Sequence, residues 1–350
     1  MRRLLVLACA LAALSCQRAK LQRVLPEGVR IDLLPQSSRA QLDTLFVVDN
    51  ADHITPHQQK VAQSFSRFLG YLDQNQIDYH IGLVSTDVTN QPAQYLGGGT
   101  KRYFAAGDGG VLQGVAAAVL ALGDKGSPVE AALQQLDLSL RQPPDGFLRP
   151  GAALFLVAVT DDDDPWSPGE DLYYYRAIKQ AKGAGNDALV TFSAIAGDVP
   201  NGCTIRDPQN PSNSFVADPA ARLKALALET GGVFHSLCDP SFDAVFDQLG
   251  ATAAGLKRAF RLAKVPDLAT LSVSVRAPCD ARPAALAACA MQSNECAEPT
   301  PAIVCTPAPF APGSPDGWSY DAATNSLVFA GASLPPRGSL VEAQYKERAP

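Results

Sequence analysis

Residues 42–53 read Leu-Asp-Thr-Leu-Phe-Val-Val-Asp-Asn-Ala-Asp-His. The apolar run from Leu45 to Val48 stops abruptly at Asp49. Just beyond, Thr55-Pro56-His57-Gln58 opens an amphipathic stretch. Thr55 suits a helix cap, Pro56 the first helical position, and Gln58 a capping-box partner. Val61, Phe65, Phe68, Leu69 and Leu72 then recur at helical spacing. Asp49 is thereby placed at the carboxyl end of a buried strand, ahead of a helix over residues 56–74. In open α/β sheets this is where ligands bind.

Working outward, strand and helix patterns alternate. Strands are expected at 78–86, 152–159, 188–196 and 233–236. Helices are expected at 111–122, 128–140, 171–182, 219–230 and 240–255, with Asp218 as N-cap of the fourth of these. The run 152–159 is apolar throughout, as in a central parallel strand buried on both faces. It ends in Thr160 followed by Asp161, Asp162, Asp163 and Asp164. Residues 90–110 and 197–216 read as long loops. The fold class implied is α/β: a mostly parallel sheet with helices on both faces. After Phe260 the texture changes to period-two strands interrupted by a Cys- and Pro-rich stretch. That part reads as a small disulfide-rich antiparallel β-module.

The stretch ending at Asp49 resembles the first strand of von Willebrand factor A (VWFA) domains. Phe260-x-Leu262, Gly317-Trp318-x-Tyr320-Asp321 and Pro336-x-Gly338-Ser339 are similar to the tail of a group of bacterial VWFA lipoproteins. The resemblance implies a Rossmann-like sheet and a metal-ion-dependent adhesion site at its edge. In the family, a first loop supplies Asp-x-Ser-x-Ser, a second a Thr and a third an Asp. Here Asp49 is kept, while Ala51 and His53 stand where the serines would be. Ser127 aligns with the Thr, and Asp161 with the last Asp. Asp52 and Asp163 are further oxygen donors for a rebuilt, more acidic site. Such a degenerate set would hold Ca²⁺ or Mg²⁺ weakly, on the order of 10⁻⁴–10⁻³ M. A vestigial site of solvated carboxylates is the alternative.

Met1-Arg2-Arg3 followed by apolar residues 4–14 has the form of an export signal, too short for a permanent span. Ala12-Ala13-Leu14-Ser15-Cys16 resembles a bacterial lipobox. This implies residues 1–15 as signal peptide, lipid on Cys16 and attachment to a membrane surface. Gln17 favours the outer membrane of the cell envelope under the sorting rule of such lipoproteins. Residues 16–40 are then a lipid-anchored tether, 41–257 the VWFA-like domain and 258–350 the β-module.

The other cysteines are Cys203, Cys238, Cys279, Cys289, Cys296 and Cys305, an even set that fits disulfides in an exported chain. Cys203–Cys238 is expected, with Cys279–Cys305 nested around Cys289–Cys296 on loop-closure grounds. A net charge of −6 without a basic run excludes nucleic acid as a natural partner. No nucleophile elbow, metalloprotease helix or phosphate loop occurs, so no enzyme is expected. Trp166, Tyr173 and Tyr174 beside the acidic run suit a partner-binding surface. The function expected is an envelope binding or scaffold protein whose partner is another envelope protein or an extracellular polymer. A metal-assisted envelope hydrolase and a purely structural envelope protein are the alternatives.

Overall fold

The computed structural model describes residues 28–36, 39–206, 214–279, 289–294, 296, 303–309 and 316–348. Its centre is a six-stranded sheet. The first strands in the chain are β1 (Val29–Pro35), β2 (Gln41–Val48), β3 (Asp78–Ser85), β4 (Phe104–Ala105), β5 (Ala153–Val159), β6 (Val190–Ala196), β7 (Cys203–Arg206), β8 (Ser214–Ala217) and β9 (Phe234–Ser236). The central sheet runs β4-β3-β2-β5-β6-β9. β4 is antiparallel to β3 and the other pairings are parallel. The chain moves outward from β2 to β3 and β4, then returns to β5 on the other side of β2. The order therefore reverses between β2 and β5, which opens a crevice at their carboxyl ends.

The helices are α1 (Thr55–Gln74), α2 (Val111–Leu120), α3 (Ala132–Arg141), α4 (Asp171–Gln180), α5 (Ala221–Glu229) and α6 (Asp243–Ala253). Strand alternation splits the core in two. Phe46 and Val48 of β2 face α1, α2 and α6, whereas Leu45 and Val47 face α3, α4 and α5. Phe46 packs against Phe65, Phe68 and Phe246, with centroids 5.3, 5.4 and 6.4 Å away. The expected α/β sheet with helices on both faces is thus what the chain forms.

The C-terminal part adds β10 (Ala259–Arg261), β11 (Ser272–Ala277), β12 (Cys289–Asn294), β13 (Ile303–Pro307), β14 (Gly317–Asp321), β15 (Ser326–Ala330) and β16 (Leu340–Lys346). They form two antiparallel sheets, β1-β16-β11-β13-β12 and β10-β15-β14. Phe260, Val275, Phe329, Val341 and Tyr345 belong to the same buried cluster as Phe46 and Phe65. One core therefore runs from the α/β part into the module, across the expected boundary at residue 257.

Several expectations are corrected. Residues 29–35, read as tether, form β1, whose seven residues pair with β16 at the other end of the sequence. Asp32, in β1, accepts a 2.6 Å hydrogen bond from the Tyr345 hydroxyl. A partner so remote leaves no local period to read. The loop at 197–216 holds the β7–β8 hairpin. Ile54, not Thr55, is the N-cap of α1, and α5 begins after Ala220 without a cap from Asp218. Cys203–Cys238 forms as expected. The remaining pairs are Cys279–Cys296 and Cys289–Cys305, not the nested set. Pairing of β12 with β13 sets Met291 opposite Cys305, which brings Cys289 within 5.4 Å (Cα–Cα) of it. Sheet register, not the shortest loop, selects the partner.

At the amino end of β2, Asp43 is fully buried. It accepts from Lys182 Nζ at 2.6 Å and from Arg149 Nε at 2.8 Å. Removing one side of such a pair strands a buried charge. Asp43→Ala should lower the unfolding free energy by about 3–5 kcal/mol in chemical denaturation. Asp78→Ala, which removes the half-exposed partner of Arg149, should cost under about 1 kcal/mol. Peptide mapping without reduction should recover Cys279 linked to Cys296 and Cys289 linked to Cys305.

Candidate metal centre

The crevice between β2 and β5 gathers acids from three loops. The register of β2 and β5 sets Val48 opposite Val159. Asp49 and Thr160 follow directly, and Asp49 N–H donates to Val159 O at 2.9 Å. The third contributor is Glu130, in the segment before α3. An isolated bridge between Asp87 and Glu130 holds that segment to the end of β3, as does a 3.2 Å bond from Ala131 N–H to Thr86 O. One oxygen each from Asp49, Glu130 and Asp161 then lie within 4.8 Å of one another.

Asp49 and Glu130 are buried, and Asp161 is half-buried. Thr160 Oγ1 donates to Glu130 Oε2 at 2.9 Å and stands 3.4 Å from Asp49 Oδ2. Thr86 Oγ1 lies 3.4 Å from Asp49 Oδ1, which also accepts from Ala51 N–H at 2.7 Å. Gln58 Nε2 spans Asp49 O and Gly123 O, fastening α1 and the 123–126 turn to the end of β2. Gly126 N–H donates to Asn50 O, and a Cβ on Gly126 would lie 2.6 Å from that oxygen. Only glycine permits this approach.

Among the described residues, no lysine or arginine forms an ion pair with Asp49, Glu130 or Asp161. Two charged carboxylates at 4.8 Å repel by about 3.5 kcal/mol at an effective dielectric of about 20. Burial, reinforced by the adjacent Asp49 carboxylate, pushes both Glu130 and Asp161 far above the ordinary carboxyl range. The group can shed this strain by holding protons or a cation. Its donors are all oxygen, three carboxylates flanked by two threonine hydroxyls, the ligand chemistry of Ca²⁺ and Mg²⁺ rather than of a thiolate- or imidazole-binding metal.

The other sequence candidates lie outside this group. Asp52 is exposed. Ser127 Oγ accepts from Val129 N–H at 3.0 Å, a local turn bond. Asp163 turns away and accepts from the Arg222 and Leu223 amides, supplying from a distance the cap of α5 expected of Asp218. His53 adopts a left-handed φ of 73°. His57 is buried against the ring of Phe215, 4.3 Å between centroids. Burial pushes it down to about 4, which leaves it a neutral wedge at physiological pH. Trp166, in the loop before α4, and Tyr173, on α4, are about half exposed. Tyr174, expected with them, is instead buried, and its hydroxyl donates to Pro168 O at 2.7 Å. Cys16 lies outside the described residues.

The residues that sequence reading missed are Glu130, Thr86 and Thr160. Glu130 sits three positions past Ser127, just where polar sequence gives way to Ala131-Ala132-Leu133. Thr86 and Thr160 each follow the last residue of a buried strand, the same signal that singled out Asp49.

No protein-family model matches the chain, and no curated protein does. Among solved structures, it is similar to an aerotolerance-related membrane protein from Bacteroides fragilis NCTC 9343 bearing multiple mutations to serines. That match has 12% identity and a TM-score of 0.33, over 61% of this chain and 98% of the other. It is also similar to the pilus adhesin SpaC from Lactobacillus rhamnosus GG, at 12% identity and a TM-score of 0.39, over 93% of this chain and 42% of the adhesin. A third is proximal thread matrix protein 1 from the mussel byssus, at 11% identity and a TM-score of 0.38, over 66% of this chain and 51% of the byssus protein.

The sign of the pH dependence follows from the raised carboxyls. A carboxyl raised in the fold contributes stability that is complete below its unfolded value and is lost as pH rises toward its folded one. In chelator, the melting temperature should therefore fall as pH rises above about 4.5, the ordinary value for Glu130. Glu130→Gln, which keeps the Thr160 hydrogen bond and removes the charge, should flatten that slope. Melting curves across the pH range check both.

Proposed function

We propose that this chain is an exported binding protein of the VWFA type, lipid-anchored at Cys16. In this reading it docks an envelope protein or extracellular polymer at the carboxyl edge of its central sheet, where Ca²⁺ or Mg²⁺ is bound. The observation that carries the reading is the convergence of Asp49, Glu130 and Asp161 at the point where strand order reverses. Three disulfides fit an oxidising compartment. No helix among the described residues is long and apolar enough to cross a membrane. Trp166 and Tyr173 offer exposed aromatic contact area on the neighbouring loop and helix. The role proposed is binding rather than catalysis.

Glu130 replaces the lost serine oxygens with a full charge. Because Ca²⁺ affinity rises with ligand charge, the expected dissociation constant falls below about 10⁻⁴ M. At a hundredfold excess over that constant, linkage supplies about 2.7 kcal/mol of stabilisation. Melts in Ca²⁺, Mg²⁺ or chelator should show this as a several-degree shift that Asp49→Asn and Glu130→Gln abolish. Superimposable wild-type curves would rule out the cation. Retention of an envelope component by the immobilised protein, lost in Trp166→Ala together with Tyr173→Ala, would support the docking surface. Undiminished retention by that double variant would place it elsewhere.

A further inference from the structure

A second concave site lies where α1 and α6 meet the C-terminal module, about 22 Å along α1 from Pro56 at roughly 1.5 Å per residue. It is an open groove of about 520 Å³, continued by a lobe of about 240 Å³. The first volume falls in the roughly 300–1,000 Å³ range of small-molecule sites, which favour such junctions between structural units. Gly70 and Ala244 keep its walls low, and Tyr71 lines both lobes. The ring of Tyr71 is fixed from two sides. Its hydroxyl donates to Gly331 O at 3.3 Å, and a Cβ on Gly250 would come within 2.9 Å of it.

Arg67 stands between Asp243 and Asp247, 3.6 Å from each. Those are ion-pair separations longer than hydrogen bonds, so the Arg67 guanidinium can still donate to a ligand, and Asp243 Oδ2 and Asp247 Oδ2 can still accept, while Asp243 Oδ1 is taken by Ser64 Oγ at 2.9 Å. Gln74 adds an amide at the rim. An anionic ligand is disfavoured, because three lining acids, Asp243, Asp247 and Asp316, face two guanidinium groups, Arg67 and Arg258. A purely apolar ligand would leave this charged rim desolvated and unpaired. A ligand with a flat C–H face and a hydroxyl edge meets both requirements.

We propose that this groove binds a neutral oligosaccharide strand. Tyr71 is the platform for a sugar face, and Arg67, Asp247 and Gln74 are hydrogen-bond partners of sugar hydroxyls. The site is separate from Asp49 and independent of any cation there.

Isothermal titration of the full protein with chitotetraose, cellotetraose and maltotetraose tests this. Saturable binding of at least one of them is expected, unchanged by chelator and by Asp49→Asn. A Cβ at Gly70 meets only Gln74 Nε2, at 3.9 Å, so Gly70→Met is the substitution that projects a side chain into the groove from an uncrowded position. It replaces a helical glycine with a better helix former, so the variant should melt no lower than wild type while losing affinity by about tenfold or more. Arg67→Ala should also weaken binding. Absence of saturable binding by all three sugars, or affinity unaltered in the folded Gly70→Met variant, overturns the proposal.

Discussion

The parallel pairing of β2 with β5 is the contact on which the rest of the molecule depends. Residues 42–48 lie in register with 153–159, buried on both faces. Each strand serves two cores at once, so a one-residue slip would exchange the side chains owed to α1 and α6 for those owed to α3 and α4. The same register delivers Asp49 and Thr160 to adjacent positions at the sheet edge. Packing energy fixes the strands, and the strands place the acids.

Two buried aspartates mark the ends of β2, Asp43 within it and Asp49 just past its last residue, and their surroundings differ in kind. Asp43, at its amino end, is held by Lys182 and Arg149. The protein itself supplies the countercharge, and the cluster ties the start of β2 to the segments flanking β5 and α4. Asp49, at the carboxyl end, has Glu130 and Asp161 as neighbours, with threonine hydroxyls around them. Grouping like charges in a buried crevice works against stability unless something from solution neutralises them. The two ends of one strand thus differ in countercharge: the protein supplies it to Asp43, whereas the group around Asp49 could take it from a cation.

The C-terminal module is integrated with the sheet rather than appended to it. β1 and β16 join the two ends of the described chain over seven residue pairs. Gln36 is fixed through its side chain to Lys257 O and Pro335 O. Arg337 N–H donates to Asn75 Oδ1 at the end of α1. These links give the groove beside Tyr71 two walls that belong to one packed body.

The sequence by itself determined the alternation of strands and helices, the burial of residues 45–48 and 152–159, and the position of Asp49 and Asp161 at strand ends. Those features rest on local periodicity and on abrupt changes from apolar to charged residues, which a linear reading detects. It also identified Cys203 and Cys238 as partners, each standing apart from the C-terminal cluster. Only the tertiary structure decided what depends on contacts remote in sequence. Glu130 reaches the site because Asp87 and Thr86 clamp its backbone. Asp163 leaves it because α5 presents unpaired amides nearby. Tyr174 turns inward while its neighbour Tyr173 stays exposed, because only the packing of α4 against the sheet sets which side of the helix is covered. β1 becomes a strand, and Cys289 finds Cys305, through register with chain segments that no nearby residue announces.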